Sequence, residues 1–167
     1  MAVVTTKSGP ITNRDASPMV KNNSLVENGM LRESSGTVEA VSGDSIGSVY
    51  ILAAVPSSAR VSSILIYCDA ITTCAADIGL YKSTADGGLV VDADFFASAQ
   101  SLASASALGI EVAHEATGTH DIDDVEKPLW SALGLSSDPS LTYYVAATLT
   151  AAAGSAGTLS AKVRYTI

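Results

Sequence analysis

The sequence predicts an all-β domain, a jelly-roll-like β-sandwich of about eight strands with one short helix. Three observations carry this. Residues 158–167 alternate without a break, with Leu159, Ala161, Val163, Tyr165 and Ile167 on one side and Ser160, Lys162, Arg164 and Thr166 on the other. A period of two marks a strand with one buried and one wet face. Two apolar runs, Val61–Tyr67 and Ala75–Tyr81, are too short for most helices and usual for strands. Only one stretch, Asp121–Leu135, spaces its apolar residues as a helix does, with Val125, Leu129 and either Ala132 or Leu133 on one face.

In chain order, residues 1–33 show no sustained period. Gly9-Pro10, Ser17-Pro18, Asn22-Asn23 and Asn28-Gly29 punctuate them, and short apolar pairs recur between the breaks: Val3-Val4, Met19-Val20 and Leu25-Val26. They read as an extended N-terminal arm that docks on a neighbouring subunit, with a disordered tail as the alternative. The sandwich then occupies residues 34–167. Thr37–Val41 alternates and ends at Gly43-Asp44. Ser48–Val55 is a second strand, stopped by Pro56, which lacks the ladder donor. Val61–Tyr67 and Ala75–Tyr81 form a central meander, closed by the turn Asp86-Gly87-Gly88. Leu89–Val91 and Asp92–Phe96 follow. Ala97–Ala107 is mostly Ala and Ser and predicts no element; Leu108–Val112 reads as a short strand and His114–His120 as a polar loop. Pro128 suits a helix start, so a helical turn is expected from near Lys127 to Gly134. Leu141–Leu149 and Thr158–Ile167 make a closing hairpin around the small-residue loop Ala151–Gly157.

Composition narrows the function classes. The chain of 167 residues fits one domain, and with 47% apolar and 16% charged residues it is not a disordered chain. That charge content is low against the about 25% of an ordinary soluble protein, which suits a subunit buried among neighbours. The net charge of −8 is split: residues 1–33 carry four bases against three acids, and residues 34–167 carry five bases against fourteen acids. An acidic body repels phosphate, so nucleic acid is not an expected partner. Neither a spanning segment nor a secretory leader is expected, which leaves no membrane partner and synthesis in cytoplasm.

No catalytic constellation is legible. Asp92 with Asp94, and Asp121, Asp123, Asp124 and Glu126, make acidic groups of the kind that hold calcium, but neither matches a full calcium loop, and solvated turn acids are the plainer reading. His114 and His120 flank Glu115 and Asp121, yet no Gly-x-Ser-x-Gly elbow accompanies them. Cys68 and Cys74 are two ligands short of a zinc site and read as buried reduced thiols, with a disulfide as the alternative. Tyr50, Tyr67, Tyr81 and Trp130 could build a sugar-binding surface, although Trp130 lies among apolar neighbours and fits a core. Phe95 and Phe96, the two phenylalanines, fit a loop that folds back and plugs one end of the sandwich with an aromatic. No catalytic, cofactor or metal residue is assigned.

The run Asp77–Tyr81 followed by Asp86–Ala97 resembles a stretch of small virion proteins of tailed bacteriophages. Pro128-Leu129-Trp130, Leu133-Gly134-Leu135 and Asp138-Pro139 before Tyr143-Tyr144-Val145 add to that likeness. The chain thereby resembles capsid decoration (cement) proteins of the jelly-roll type over roughly residues 60–150. The resemblance implies a non-enzymatic structural protein on the outer surface of a phage head. Its partners would be the major capsid protein and further copies of itself, as a homodimer or homotrimer, and no cofactor is implied. A receptor- or carbohydrate-binding sandwich of a phage tail or fibre is the alternative.

Overall fold

The computed structural model describes residues 4–114 and 118–167; Val3 of the first apolar pair and Glu115 lie outside them. Eight strands form two antiparallel sheets: β1 (Leu31–Ala40), β2 (Val49–Pro56), β3 (Arg60–Cys68), β4 (Ala75–Lys82), β5 (Val90–Ser101), β6 (Ser106–Glu111), β7 (Thr142–Ala151) and β8 (Gly157–Thr166). One sheet runs β1-β8-β3-β6 and the other β2-β7-β4-β5. Each odd-to-even step from β1 to β2, β3 to β4, β5 to β6 and β7 to β8 crosses between sheets, which is the connectivity of a jelly roll. Among the described residues two short α-helices, α1 (Gly9–Arg14) and α2 (Leu129–Ala132), and two 3-10 turns, Thr84–Asp86 and Ile122–Asp124, complete it.

The core is the inner faces of both sheets. Val61, Ile64 and Ile66 of β3, Ile78 and Leu80 of β4, Val145 and Leu149 of β7, and Leu159 and Val163 of β8 are all buried. The expected alternation of β8 holds through Val163 and fails at its end: Thr166 is buried, Tyr165 is half-buried and Ile167 is 38% exposed. The cause is the arm. The Leu25 carbonyl accepts from Thr166 Oγ1 at 3.0 Å and covers it.

Two edges of the sandwich meet closely. β1 and β2 lie side by side in different sheets, and Ala54 N donates to Ser34 Oγ at 3.2 Å. A Cβ on Gly36 would collide with the Leu52 carbonyl, so only glycine lets the two edges approach there. β2 bulges at Leu52, which turns that side chain inward to 4% exposure. A second bulge shapes β5. Ile78 pairs with Ala97 and Leu80 with Asp92, so three residues of β4 face six of β5. The surplus lets consecutive Phe95 and Phe96 both turn into the core, where they meet edge to face at 5.0 Å. The aromatic plug is thus part of a strand, where a folded-back loop was expected.

Some boundaries differ from the sequence reading. β1 starts at Leu31, six residues before the expected strand, because Leu31–Gly36 is polar and pairs through its backbone with β8. β5 runs to Ser101 and β6 starts at Ser106, inside the Ala/Ser stretch that predicted nothing. The expected helical turn shrinks to Leu129–Ala132, with Pro128 at its N-cap and Gly134 at φ +74° beyond it. Val125, expected on its apolar face, is 43% exposed. The helix in the arm was not expected; Gly9-Pro10 reads as a break, but proline in a first turn starts a helix equally well.

The sandwich has two unlike ends. Loops 41–48, 69–74, 102–105 and 152–156 close one end. The arm, residues 57–59, loop 83–89 and the described parts of the long connection, 112–114 and 118–141, crowd the other.

Candidate functional site

The buried chemistry of the molecule gathers at the arm end. His120 is fully buried between Phe95 and Phe96, with ring centroids 5.3 and 5.4 Å away, and stacks on His114 at 4.7 Å. Its Nδ1 lies 2.6 Å from the Ala113 carbonyl and 3.1 Å from His114 Nδ1. A carbonyl only accepts, so the proton sits on His120 Nδ1 and Nε2 is bare. Burial and the neighbouring His114 hold the His120 imidazole below the usual histidine range, against the carbonyl that favours its charged form. Among the described residues neither histidine Nε2 has a hydrogen-bond partner, a serine or threonine hydroxyl included. Among the described residues the pair forms an aromatic stack with Phe95 and Phe96.

The connection is seated there by β5. The Phe95 carbonyl, freed from the ladder by the bulge, accepts from Thr119 N at 2.9 Å and His120 N at 2.7 Å. Gly118 lies so close to the Phe95 and Phe96 carbonyls that any side chain would collide with them. On the other side of the bulge, a Cβ on Gly79 would meet the backbone of Asp92 and Ala93. These glycines admit the crossing of β5 between β4 and the connection.

The acidic groups are spent locally. Asp92 Oδ2 accepts from Thr119 Oγ1 at 3.2 Å, and burial, then the adjacent Asp94 carboxyl, raise its pKa. Asp121 accepts from Ile122 N at 2.5 Å, and Asp124 holds Lys127 at 2.6 Å. Among the described residues no three His, Cys, Asp or Glu converge as a metal site. Cys68 and Cys74 are separate buried thiols, both raised in pKa first by burial. No described helix is long and apolar enough to cross a membrane.

The aromatic candidates scatter. Tyr50 donates to Asp44 at 2.5 Å and Tyr81 shares a bond with Thr148 at 2.8 Å, so both hydroxyls are engaged. Trp130 is half-buried, its amide bonded to the Ser57 carbonyl at 3.1 Å. Tyr67 alone borders an open recess. It lies on the outer face of the β1 sheet beside Ser35, Thr37 and Ser160, in a hollow of about 450 Å³, with Lys162 Nζ 5.5 Å above its ring. This hydroxyl-lined outer face, formed by three strands, could not be assembled from sequence spacing.

The remaining feature is apolar exposure. Val4, Ile11, Met19 and Val20 of the arm are 79, 46, 67 and 50% exposed. The arm keeps its shape through its own polar groups: Arg14 pairs with Glu27, and Asn22 donates to the Pro10 carbonyl at 3.1 Å and to Glu27 at 2.6 Å. Its tie to the body is at Leu25, whose carbonyl also accepts from Arg60 Nε at 2.6 Å. At the same end, Leu133, Leu135, Leu141 and Tyr143 line a groove of about 420 Å³ with Lys82 and Asp92 on its polar side.

No protein-family model matches this chain, and no curated protein matches it. Among solved structures, a chain in the capsid asymmetric unit of cyanophage Pam1 has a similar fold, with a TM-score of 0.51 at 14% identity over 83% of this chain and 86% of that one. A chain in the acid-stable capsid structure of Helicobacter pylori bacteriophage KHP30 aligns with a TM-score of 0.43 at 18% identity, over 83% of this chain and 94% of that one.

Proposed function

We propose that this protein is a structural component of a phage virion, a decoration or cement protein on the outer surface of the head. In this reading it bridges major capsid subunits, is made in the host cytoplasm and catalyses nothing. The observation that carries the proposal is the jelly-roll fold shared with a chain of the cyanophage capsid. The low charge content and the exposed apolar residues of the arm support it, because both suit a chain that spends its surface on neighbours. Residues 1–33 act as the attaching arm and residues 34–167 as the body, with Leu31–Glu33 contributing to both. Binding the assembled shell and not its parts stabilises the shell by mass action, and repeated contacts over a lattice multiply the effect. The test is thermal release of DNA from particles with and without the protein. Release at a lower temperature without it supports cementing; equal temperatures overturn it.

A second reading, a receptor- or carbohydrate-binding sandwich of a tail or fibre, is favoured by the hollow at Tyr67. Oligosaccharide binding that is lost in Tyr67→Ala, in a chain that leaves DNA release unchanged, would put this reading first.

A further inference from the structure

We propose that the arm of one copy docks in the groove between segment 133–141 and the β4–β5 side of a second copy, so that the protein assembles by arm exchange. This goes beyond the virion reading and does not depend on it. The groove is apolar on one wall, through Leu133, Leu135 and Leu141, and its polar wall carries Lys82 and Asp92. Leu135 is 41% exposed, a leucine left at the mouth of a recess. The arm is the matching shape: four exposed aliphatic side chains, from Val4 to Val20, on a segment with no described residue buried.

Charge selects the occupant. Residues 4–24 carry Lys7, Arg14 and Lys21 against Asp15, a balance of +2. Loops 83–89 and 118–141 carry six acids against Lys127 alone, and Asp92 stands in the groove. Opposite fields steer the two together and disfavour acidic partners. Reach is sufficient: with α1 kept helical, residues 4–24 can span about 60 Å, several times the about 15 Å radius of gyration of a domain this size. The tether argues for exchange. Leu25 is held by Arg60 and Thr166, at the margin of the β1 sheet, whereas the groove belongs to the opposite sheet. A segment and a receptor on different faces of one chain make a head-to-tail contact, which closes into a ring, or a dimer when the exchange is mutual.

The test uses the purified protein with no capsid present. Analytical ultracentrifugation at micromolar concentration is expected to give an oligomer for the full chain and a monomer for a chain lacking residues 2–24, with the melting temperature of that shortened chain little changed. Leu135→Asp, on a partly exposed side chain, is expected to give a monomer as well. A labelled peptide of residues 4–24 is expected to bind the shortened chain, and at least tenfold more weakly when that chain also carries Leu135→Asp. A monomeric full chain, an oligomer that survives either change, or a peptide indifferent to Leu135→Asp overturns the proposal. Peptide binding beside a monomeric full chain would mean that the arm occupies its own groove, which also overturns exchange.

Discussion

The two ends of the sandwich share a backbone framework and differ in how deeply the side chains that join it are buried. At the closed end the loops bond backbone to backbone: Gly43 N to Ala153 O at 2.8 Å, Ala153 N to Asp44 O at 3.0 Å, Gly154 N to Thr72 O at 2.8 Å, Ile71 N to Leu102 O at 3.0 Å and Leu102 N to Cys74 O at 2.9 Å. All four loops belong to that one chain of contacts, which any sequence with the right turns could make. At the arm end backbone bonds recur, as from Ser57 N to Leu141 O and Leu129 N to Ala59 O, both at 2.8 Å, and buried or part-buried side chains join them. Buried Ser57 bonds Asp138 through its hydroxyl and accepts from Leu141 N at 3.1 Å. Arg60 holds the Leu25 and Val125 carbonyls, the latter at 2.9 Å. His120 fills the space behind the bulge of β5. Side chains at the closed end, such as Ser155 on Thr72 N, bond at the exposed surface, whereas those at the arm end are built into its packing, and the exposed apolar surface of the arm lies with the second.

This contrast can be tested in steps of falling size. The core between the ends sets the scale. Val163→Asp buries an unpaired carboxylate at a fully buried position and is expected to cost more than about 4 kcal/mol by urea unfolding. A variant as stable as the parent would mean that the inner face of β8 is misassigned. Next, Ser57→Ala is expected to cost about 1–3 kcal/mol, since it leaves the Leu141 amide without its acceptor. Its counterpart at the closed end, Ser155→Ala, removes an exposed bond to Thr72 N and is expected to stay within about 0.5 kcal/mol. Equal costs would erase the distinction between the ends. The smallest effect is acid loosening. His120 has a lowered pKa in the fold, so below the ordinary histidine value of about 6.5 the unfolded chain takes up the proton first and stability falls with pH. Amides of Thr119 and His120 should exchange faster at pH 5 than at pH 7 after correction for intrinsic rates, while Gly43, Ala153 and Gly154 hold. His120→Phe should remove that difference.

The same division explains what the sequence made legible. Strands built from β-branched and aromatic residues declared their inner faces, as Ile64, Ile66, Ile78 and Leu80 did, because burial there follows the period of two. β5 beyond Ala97 stayed silent, since Ala and Ser side chains carry too little area to mark a face. The consecutive burial of Phe95 and Phe96 breaks the period, and only a bulge permits it. β1 before Thr37 was hidden because its Arg32, Glu33 and serines face water or the close approach at Gly36. At the arm end, contacts such as His114 with His120 lie near in sequence and were noticed as a pair, but their role depends on Phe95 and Phe96, which only the folded chain brings beside them. The hollow at Tyr67 and the groove at Leu135 join residues from three or more elements and have no local signature.

The pairing of β1 with β8 gives the molecule a mechanical direction. Leu31 lies opposite Thr166 and Ala40 opposite Gly157, so the arm leaves the sheet beside the last residues of its partner strand. Tension between the arm and Thr166 would load one hydrogen-bonded pair at a time and peel the strands apart at low force, once Arg60 and Thr166 had released Leu25. Tension between the arm and the loop before Gly157 pulls β1 and β8 in opposite directions along their axes and spreads the load over all the pairs at once, as in shear. The same ladder is therefore a zip fastener in one direction and a rivet line in the other, and the strength of an attached arm depends on where the body is gripped.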